Sequence, residues 1–371
     1  MICAEEDVCI CALSLCFRHE GGLARKLYDF YGSARAVFQQ PLEELVQHKG
    51  MRRGLVKNIS DPNLFQEAEK TVKWLQSKNV RTVFIYDDSY PYRLRECPDA
   101  PLLLYVFGQT DWNASHVLSI VGTRRATMYG KDVCKDIVSG FPQLGLHPVI
   151  VSGLAFGIDV TAHKAALEHN LPTIAVLPAG IDVIYPASHR SVAIDIAKKG
   201  MVISEFPPDT QGNKNNFLQR NRIIAGLSDA TLVVESGENG GALITAHLAL
   251  GYSRDVLAVP GRTTDKNSKG CNNLIKENKA ALVTCARDVA DVLQWDIPVE
   301  KDRKAVQQKI FNTLEPVEQQ IVTQMQHTGG NIDALAEALN MPFPQLAVAL
   351  TNLQIKGVVE CSENKEFRLL L

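Results

Sequence analysis

The chain has 371 residues, of which 46% are apolar and 22% charged, and its formal net charge at pH 7 is -2. This length and composition predict a soluble globular protein of two or three domains. The near-neutral charge excludes a protein that coats duplex DNA through its overall field, so binding of an anion requires a localised cationic patch.

Residues 1–78 are predicted to form a small helical domain, because apolar residues recur at helical spacing in segments 23–31, 42–46 and 64–75. The apolar run 8–17 follows acidic residues rather than lysines, which argues against a signal peptide. No stretch reaches the roughly 20 apolar residues that span a bilayer, so no membrane association is expected. Segment 45–59 loosely resembles a helix-hairpin-helix, but Gly50-Met-Arg-Arg-Gly54 also fits a plain helical turn.

The nine cysteines give poor support for a zinc site, because no pair has the C-x-x-C spacing. Cys9, Cys11 and Cys16 lie in the apolar run and are predicted to be small core residues. Free cysteines are typical of the reducing cytosol. We therefore expect a cytoplasmic protein with no metal and no cofactor.

Residues 79–295 are predicted to form a Rossmann-like α/β core. Short apolar runs alternate with helical segments, which is typical of a doubly wound, mostly parallel sheet with helices on both faces. Ligands of such folds bind at the carboxyl ends of the strands. The predicted strands are 82–86, 102–107, 118–121, 148–152, 173–177, 201–206, 231–235, 255–259 and 281–285, and helices are predicted at 129–141, 159–169, 188–199, 241–252 and 272–279.

Residues 296–304 are predicted to be a linker, and residues 305–371 a winged-helix-like domain. Three helices are predicted at 315–326, 332–339 and 343–356, followed by a hairpin over 358–371. The third helix, in the place of a recognition helix, carries a single cation, whereas a groove reader needs several. An accessory or protein-contact role is therefore expected for this domain.

Three turns that follow predicted strands contain glycines or cations, and each is a potential anion site. In the first, a strand ends at Gly122, and Thr123 and Arg124 follow. Glycine lets a backbone approach closely, and arginine binds phosphate as a bidentate fork. The turn has neither the G-x-G-x-x-G nor the P-loop spacing, so nicotinamide and ATP sites lose their usual support. An ordinary turn with surface arginines is the alternative.

The second turn places Gly153 and Gly157 before a helix that carries Asp159 and His163. These two side chains share a helix face, so they are candidates for an acid/base pair, with a helix cap and a satisfied histidine as the alternative.

The third turn, Glu235-Ser-Gly-Glu-Asn-Gly-Gly-Ala-Leu-Ile-Thr-Ala246, places Gly240 and Gly241 before a helix. Nucleotide hydrolases of the lysine decarboxylase-like superfamily have a comparable P-G-G-x-G-T-x-x-E signature. This chain lacks the proline, the third glycine and the glutamate of that signature.

The run Lys214-Asn-Asn-Phe-Leu-Gln-Arg-Asn-Arg-Ile-Ile-Ala-Gly226 combines three cations with one aromatic residue. No carboxylate lies between Asp209 and Asp229. Cations beside an aromatic are typical of a site for single-stranded nucleic acid, whose bases stack. A helix start with solvated arginines is the alternative.

Taken in order, these motifs resemble the DNA-processing protein A family, also called DprA or Smf. The resemblance runs from about residue 82 to 293. It is carried by the turns above and by Asp88-Ser-Tyr-Pro-Tyr-Arg-Leu94, Pro101-Leu-Leu-Leu-Tyr105, Ser204-Glu-Phe-Pro-Pro208, Val259-Pro-Gly261 and Gly270-Cys-Asn-Asn-Leu-Ile275. The flanking domains resemble those of the family in architecture.

The resemblance implies a cytosolic bacterial protein, without established catalytic activity, that binds single-stranded DNA and helps load the RecA recombinase, as in natural transformation. It also implies a homodimer, for which residues 274–293 are a candidate interface. The family's loop lysine corresponds to Lys214 and its base-contacting aromatic to Phe217, while Arg220 and Arg222 either contact DNA or hold the loop. The predicted DNA-binding residues are Gly122, Thr123, Arg124, Gly153, Gly157, Lys214, Phe217, Arg220, Asn221, Arg222, Gly240 and Gly241.

Two other classes of function compete with this one. An enzyme acting on a free nucleotide would use Asp159, His163 or Glu238 as acid/base groups, although the hydrolase glutamate is absent. A scaffolding protein would use its sheet to bind a partner and would show no salt-sensitive binding to an oligonucleotide.

Overall fold

The structure is a computed structural model that describes residues 5–17, 20–298, 314–328, 331–361 and 367–369, without the side chains of residues 53, 56 and 326–328. The chain divides into two compact units, Met1–Ile297 and Pro298–Leu371. No helix within these described ranges is long and apolar enough to cross a bilayer.

The first unit begins with short helices, as the apolar spacing predicts. Cys9, Cys11 and Cys16 are at most 3% exposed and belong to the core, which confirms their predicted packing role. The Glu6 carboxylate accepts a hydrogen bond from the Ala34 amide at 2.7 Å and so joins the first helix to the third. The helices are α1 (Glu6–Cys16), α2 (Gly21–Tyr31), α3 (Ala34–Phe38), α4 (Leu42–Leu45), α5 (Arg53–Ile59) and α6 (Leu64–Ser77).

A nine-stranded sheet follows within the described residues, and each of its strands overlaps a predicted one. The strands are β1 (Arg81–Phe84), β2 (Leu103–Gly108), β3 (Val117–Val121), β4 (Val149–Ser152), β5 (Thr173–Val176), β6 (Met201–Ser204), β7 (Ala230–Val233), β8 (Asp255–Ala258) and β9 (Ala281–Leu282). Their spatial order is β1-β2-β6-β5-β4-β3-β7-β8-β9. β2 is antiparallel to both of its neighbours, and the pairs from β6 to β9 are parallel.

Helices cover both faces of this sheet, which is why its central strands are apolar on both sides. Along β3, Val117 and Val121 enter one core, whereas Leu118 and Ile120 enter the other. The helices are α7 (Tyr92–Arg95), α8 (Met128–Gln143), α9 (Ile158–Glu168), α10 (Arg190–Lys199), α11 (Lys214–Gly226), α12 (Gly241–Gly251), α13 (Lys269–Lys276) and α14 (Ala286–Val292), and a 3-10 turn spans Ala187–His189.

The strand order reverses at β3. From β3 the chain winds through β4 and β5 to β6 on one side, and then returns to β7 and β8 on the other. The carboxyl ends of β3 and β7 therefore flank a topological switch point, where open α/β sheets bind their ligands. Two of the three predicted turns, those after β3 and β7, lie at this point.

The described part of the second unit contains three helices and a two-stranded hairpin, in the predicted order. The helices are α15 (Pro316–Thr328), α16 (Ile332–Ala338) and α17 (Phe343–Ile355), and β10 (Val359–Cys361) pairs antiparallel with β11 (Phe367–Leu369). Ile321, Leu346 and Leu350 are fully buried in its own core. Most of the predicted linker, residues 299–304, and the first part of the predicted domain, residues 305–313, lie outside the described residues.

Candidate functional site

A cleft of about 630 Å³ lies at the switch point, and we call it the switch cleft. It is bounded by the turn after β3, by the first half of α11 and by the turn before α12, which are remote from one another in sequence. The predicted site residues that line it are Gly122, Thr123, Arg124, Lys214, Phe217, Arg220, Asn221, Gly240 and Gly241. The fold therefore brings most of the predicted site together.

The turn after β3 is held by the end of β7. The Thr123 amide donates to the Glu235 carbonyl at 2.7 Å, and the Thr127 amide and hydroxyl each donate to the Glu235 carboxylate at 2.9 Å. Thr127 in turn caps α8 by accepting a hydrogen bond from Gly130. A β-carbon at Gly122 would lie 2.4 Å from the Ile158 side chain, so only glycine fits there. This fixed turn leaves the Arg124 side chain exposed in the cleft.

The helix α11 supplies the facing wall with its amino-terminal half. Asn213 caps the helix by accepting a hydrogen bond from the Asn216 amide at 3.1 Å. The first turn carries Lys214 and no acidic residue, so its cation and the positive end of the helix dipole act in the same direction. The second half of the helix is buried through Ile223 and Ile224, which fixes the helix on the sheet.

Arg124 and Phe217 meet across the cleft. The guanidinium carbon of Arg124 lies 4.6 Å from the centroid of the Phe217 ring, within the range of a cation–π contact. Tyr185 packs edge-on against the same ring, with centroids 5.4 Å apart and planes at 75°. The two walls expected from the sequence are thus in direct contact, and their aromatic ring stays half-buried.

Arg220 lies beneath the cleft and is 3% exposed. Its guanidinium donates to the carbonyl of Gly153 at 2.5 Å and to the carbonyl of Val176, which joins α11 to the ends of β4 and β5. Burial lowers the pKa of Arg220 to about 10, an effect that the Asp159 carboxylate opposes. Burial likewise raises the pKa of Asp159, and the cations Arg220 and Arg124 oppose that shift.

Three predicted site residues lie outside the switch cleft. Arg222 faces the other side of α11, where it pairs with the Glu205 carboxylate and donates to the carbonyl of Asp99 at 2.5 Å. Gly153 packs against the Arg220 guanidinium, where a β-carbon would not fit. Gly157 begins α9 with a φ of 79°, a conformation that favours glycine.

The candidate acid/base groups do not converge. Asp159 lines the switch cleft, but His163 is fully buried, with Nδ1 2.7 Å from the Thr173 hydroxyl. Burial lowers the pKa of His163 to about 3. Glu238 is exposed and forms an ion pair with Lys269 at 2.7 Å, and neither residue is part of the cleft lining. Asp159 is thus the only one of the three candidates in the cleft.

Tyr185 is a cleft residue that the sequence motifs did not identify. It is 45% exposed and follows β5 in the long connection to α10. The available signal was an aromatic residue in a connection that leaves the carboxyl end of a central strand, the edge where ligands bind.

Comparisons with known proteins give matches within both compact units. The profile of the DNA recombination-mediator protein A family matches residues 81–294, and that of the DprA winged helix domain matches residues 311–364. The chain is 42% identical to the DNA processing protein DprA of Streptococcus pneumoniae over 205 residues, 55% of this chain and 71% of that protein. It is 33% identical to protein Smf of Escherichia coli over 297 residues, 78% of this chain and 77% of that protein.

Two solved structures are similar in fold. DNA processing protein A from Streptococcus pneumoniae aligns with a TM-score of 0.64 and 33% identity over 76% of this chain and 95% of that one. DNA processing protein A from Helicobacter pylori, described for its single-stranded DNA binding mode, aligns with a TM-score of 0.53 and 30% identity. The second alignment covers 59% of this chain and 97% of that one.

Proposed function

Since this chain belongs to the DNA recombination-mediator protein A family, we propose that it binds single-stranded DNA in the switch cleft. The observation that carries the proposal is the contact of Arg124 with Phe217, which joins a phosphate-binding cation to a base-stacking ring in one open site. Single-strand sites in general combine a cationic groove with aromatic platforms. The Helicobacter pylori relative, described as binding single-stranded DNA, supports the same assignment.

We assign each residue of the cleft a contact with DNA according to its position. Arg124 and Lys214 are exposed and neutralise phosphates, while the Phe217 ring receives a base. Thr123, Asn221, Gly240 and Gly241 offer polar side chains or backbone amides along the same walls.

The remaining predicted residues hold the cleft rather than touch DNA. Arg220 binds strand-end carbonyls, with Gly153 packed against it. Arg222 is paired with Glu205, and Gly157 starts α9.

We further propose that the protein acts as a binding mediator in the cytoplasm and not as an enzyme. In this role it protects single strands and loads the RecA recombinase onto them, in homologous recombination and natural transformation. A homodimer is proposed through residues 274–293, a segment that contains the edge strand β9 and the helix α14 and in which Leu282 is 51% and Val292 39% exposed.

The rival function, an enzyme acting on a free nucleotide, draws little support from the arrangement of the acid/base candidates. Only Asp159 reaches the cleft, and it lies beside a buried arginine. Incubation with nucleoside monophosphates tests this rival directly. Release of free base would favour it.

The binding proposal is tested by titrating a labelled oligothymidine at several salt concentrations. Each phosphate contact with a single strand contributes about -0.7 to the log–log salt slope, so Arg124→Ala should flatten the slope by about 0.7. Arg368→Ala, which removes an exposed arginine from β11 in the second unit, is the matched control. An unchanged slope in Arg124→Ala, or equal flattening in the control, would count against the phosphate contact.

A further inference from the structure

A second groove, of about 910 Å³, begins at the edge of the switch cleft and runs between α8 and α9; we call it the helix groove. Arg124 lines both the switch cleft and the helix groove, so the two are contiguous. Of the predicted DNA-binding residues, Arg124 and Gly157 are the two that line this groove.

The helix groove is strongly cationic. Its lining includes Arg125 from the turn after β3, Lys131 and Lys135 from α8, and Lys164 from α9, against the single carboxylate of Glu168. Lys131 and Lys135 are four residues apart, so they share one face of α8 about 6 Å apart along its axis. The chain has a net charge of -2, so this cluster creates a local positive field that attracts a polyanion.

An aromatic platform, Phe156, stands in the same groove and is 47% exposed. Its ring packs edge-on against His189, with centroids 4.9 Å apart and planes at 70°. His189 is itself buried and bonded through Nδ1 to the Leu154 carbonyl at 2.8 Å. Phe156 is therefore held in place by a fixed neighbour while half of its surface remains open, unlike a core residue or a freely mobile side chain.

We propose that the helix groove is a second subsite for the same single strand, which continues from the switch cleft past Arg124. Lys131, Lys135 and Lys164 neutralise the phosphates of the continuing strand, and Phe156 stacks a further base. This inference rests on the proposed function of the switch cleft and extends it to a longer stretch of DNA.

The test compares two labelled oligothymidines, of about 4 and about 16 nucleotides, which bracket the site sizes of single-strand grooves. The variant Lys131→Ala/Lys135→Ala/Lys164→Ala should bind the long strand more weakly and flatten its salt slope by about 2, from three contacts of about 0.7 each. Phe156→Ala should lower the affinity for the long strand by about 5- to 150-fold. Both variants should bind the short strand as the unaltered protein does.

The control is Lys73→Ala/Lys78→Ala/Lys198→Ala, which removes the same charge from exposed lysines that line neither groove. Equal effects of the control, equal losses on both strand lengths, or unchanged binding of the long strand would overturn the second subsite. Those results would not contradict DNA binding in the switch cleft, provided that the unaltered protein binds the short strand. Failure of the unaltered protein to bind either strand would overturn the proposed function itself.

Discussion

Phe217 has an arginine over its ring and a tyrosine at its edge, and part of its surface remains exposed. Truncation to alanine removes the platform for a base but leaves Arg124 and Lys214 in place. We expect Phe217→Ala to weaken binding of single-stranded DNA by about 1–3 kcal/mol, the range for base–aromatic stacking. A fluorescence anisotropy titration measures the change.

Two further variants sharpen this prediction. Phe217→Trp keeps a π-face and should retain most of the affinity. Phe107→Ala removes a ring that is 44% exposed on β2, outside the cleft, and should leave binding unaltered. If Phe217→Ala binds as tightly as Phe107→Ala while remaining folded, Phe217 is a packing residue and not a platform.

His163 makes the stability of the protein depend on pH. Burial lowers its folded pKa to about 3, whereas an unfolded imidazole titrates near 6.5. Between these values the unfolded chain binds a proton that the folded chain does not. The free energy of unfolding therefore falls as the pH drops below 6.5, by about 2 kcal/mol between pH 7 and 5 from this residue alone.

Chemical denaturation of the unaltered protein and of His163→Asn isolates this contribution. Asparagine does not titrate, and its amide can reach Thr173 in place of Nδ1. The variant should lose about 2 kcal/mol less than the unaltered protein between pH 7 and 5. Parallel losses in the two proteins would show that His163 is not kept neutral by burial.

At the scale of elements, α11 is anchored to the sheet through Arg220. Its guanidinium binds carbonyls at the ends of β4 and β5 and lies near the buried Asp159. Arg220→Ala leaves both carbonyls and the carboxylate without this cation. We expect a loss of about 3–5 kcal/mol in the free energy of unfolding, measured by denaturant titration.

A second substitution tests the cause of that loss. Asp159→Asn removes the buried charge, so the double variant Arg220→Ala/Asp159→Asn should recover part of the stability lost by Arg220→Ala. Strictly additive losses would mean that Asp159 and Arg220 are not coupled. Arg220→Lys should not restore full stability, because an ammonium does not reproduce the planar fork of a guanidinium.

The elements themselves were largely predictable from the sequence. Apolar runs bounded by turn residues marked every strand of the sheet, because buried parallel strands have few polar positions. Boundaries were less predictable. The helix predicted at 272–279 begins instead at Lys269, and the first residues of the one predicted at 188–199 form a 3-10 turn. Helix ends depend on hydrogen bonds to other elements, which periodicity does not reveal.

The site was predictable only in part. Its glycine turns and the cationic run were visible as motifs, and the switch-point rule indicated that they would lie at one edge. Which arginine is buried was not visible, because Arg220 and Arg222 are two positions apart in sequence and face different sides of α11. Tyr185 and Phe156 were not singled out, since each lies in a connection whose path depends on tertiary contacts.

At the scale of the whole molecule, the switch cleft lies entirely within the first compact unit. The second unit has its own core. Lys356, the single cation of the helix predicted at 343–356, forms an ion pair with Glu318 at 2.7 Å. We therefore expect a chain that ends at residue 297 to fold and to bind an oligothymidine with the affinity of the full chain. A loss of more than about tenfold, 1.4 kcal/mol, would assign part of the DNA contact to the second unit.

The most direct test of a single strand in the switch cleft is photochemical cross-linking of a halogenated deoxyuridine oligonucleotide, followed by mass spectrometry of the peptides. The base stacked on Phe217 should cross-link to the peptide that carries α11, and Phe217→Ala should abolish that product. Cross-links confined to the second unit, or an α11 product that persists in Phe217→Ala, would contradict a strand bound at Arg124 and Phe217.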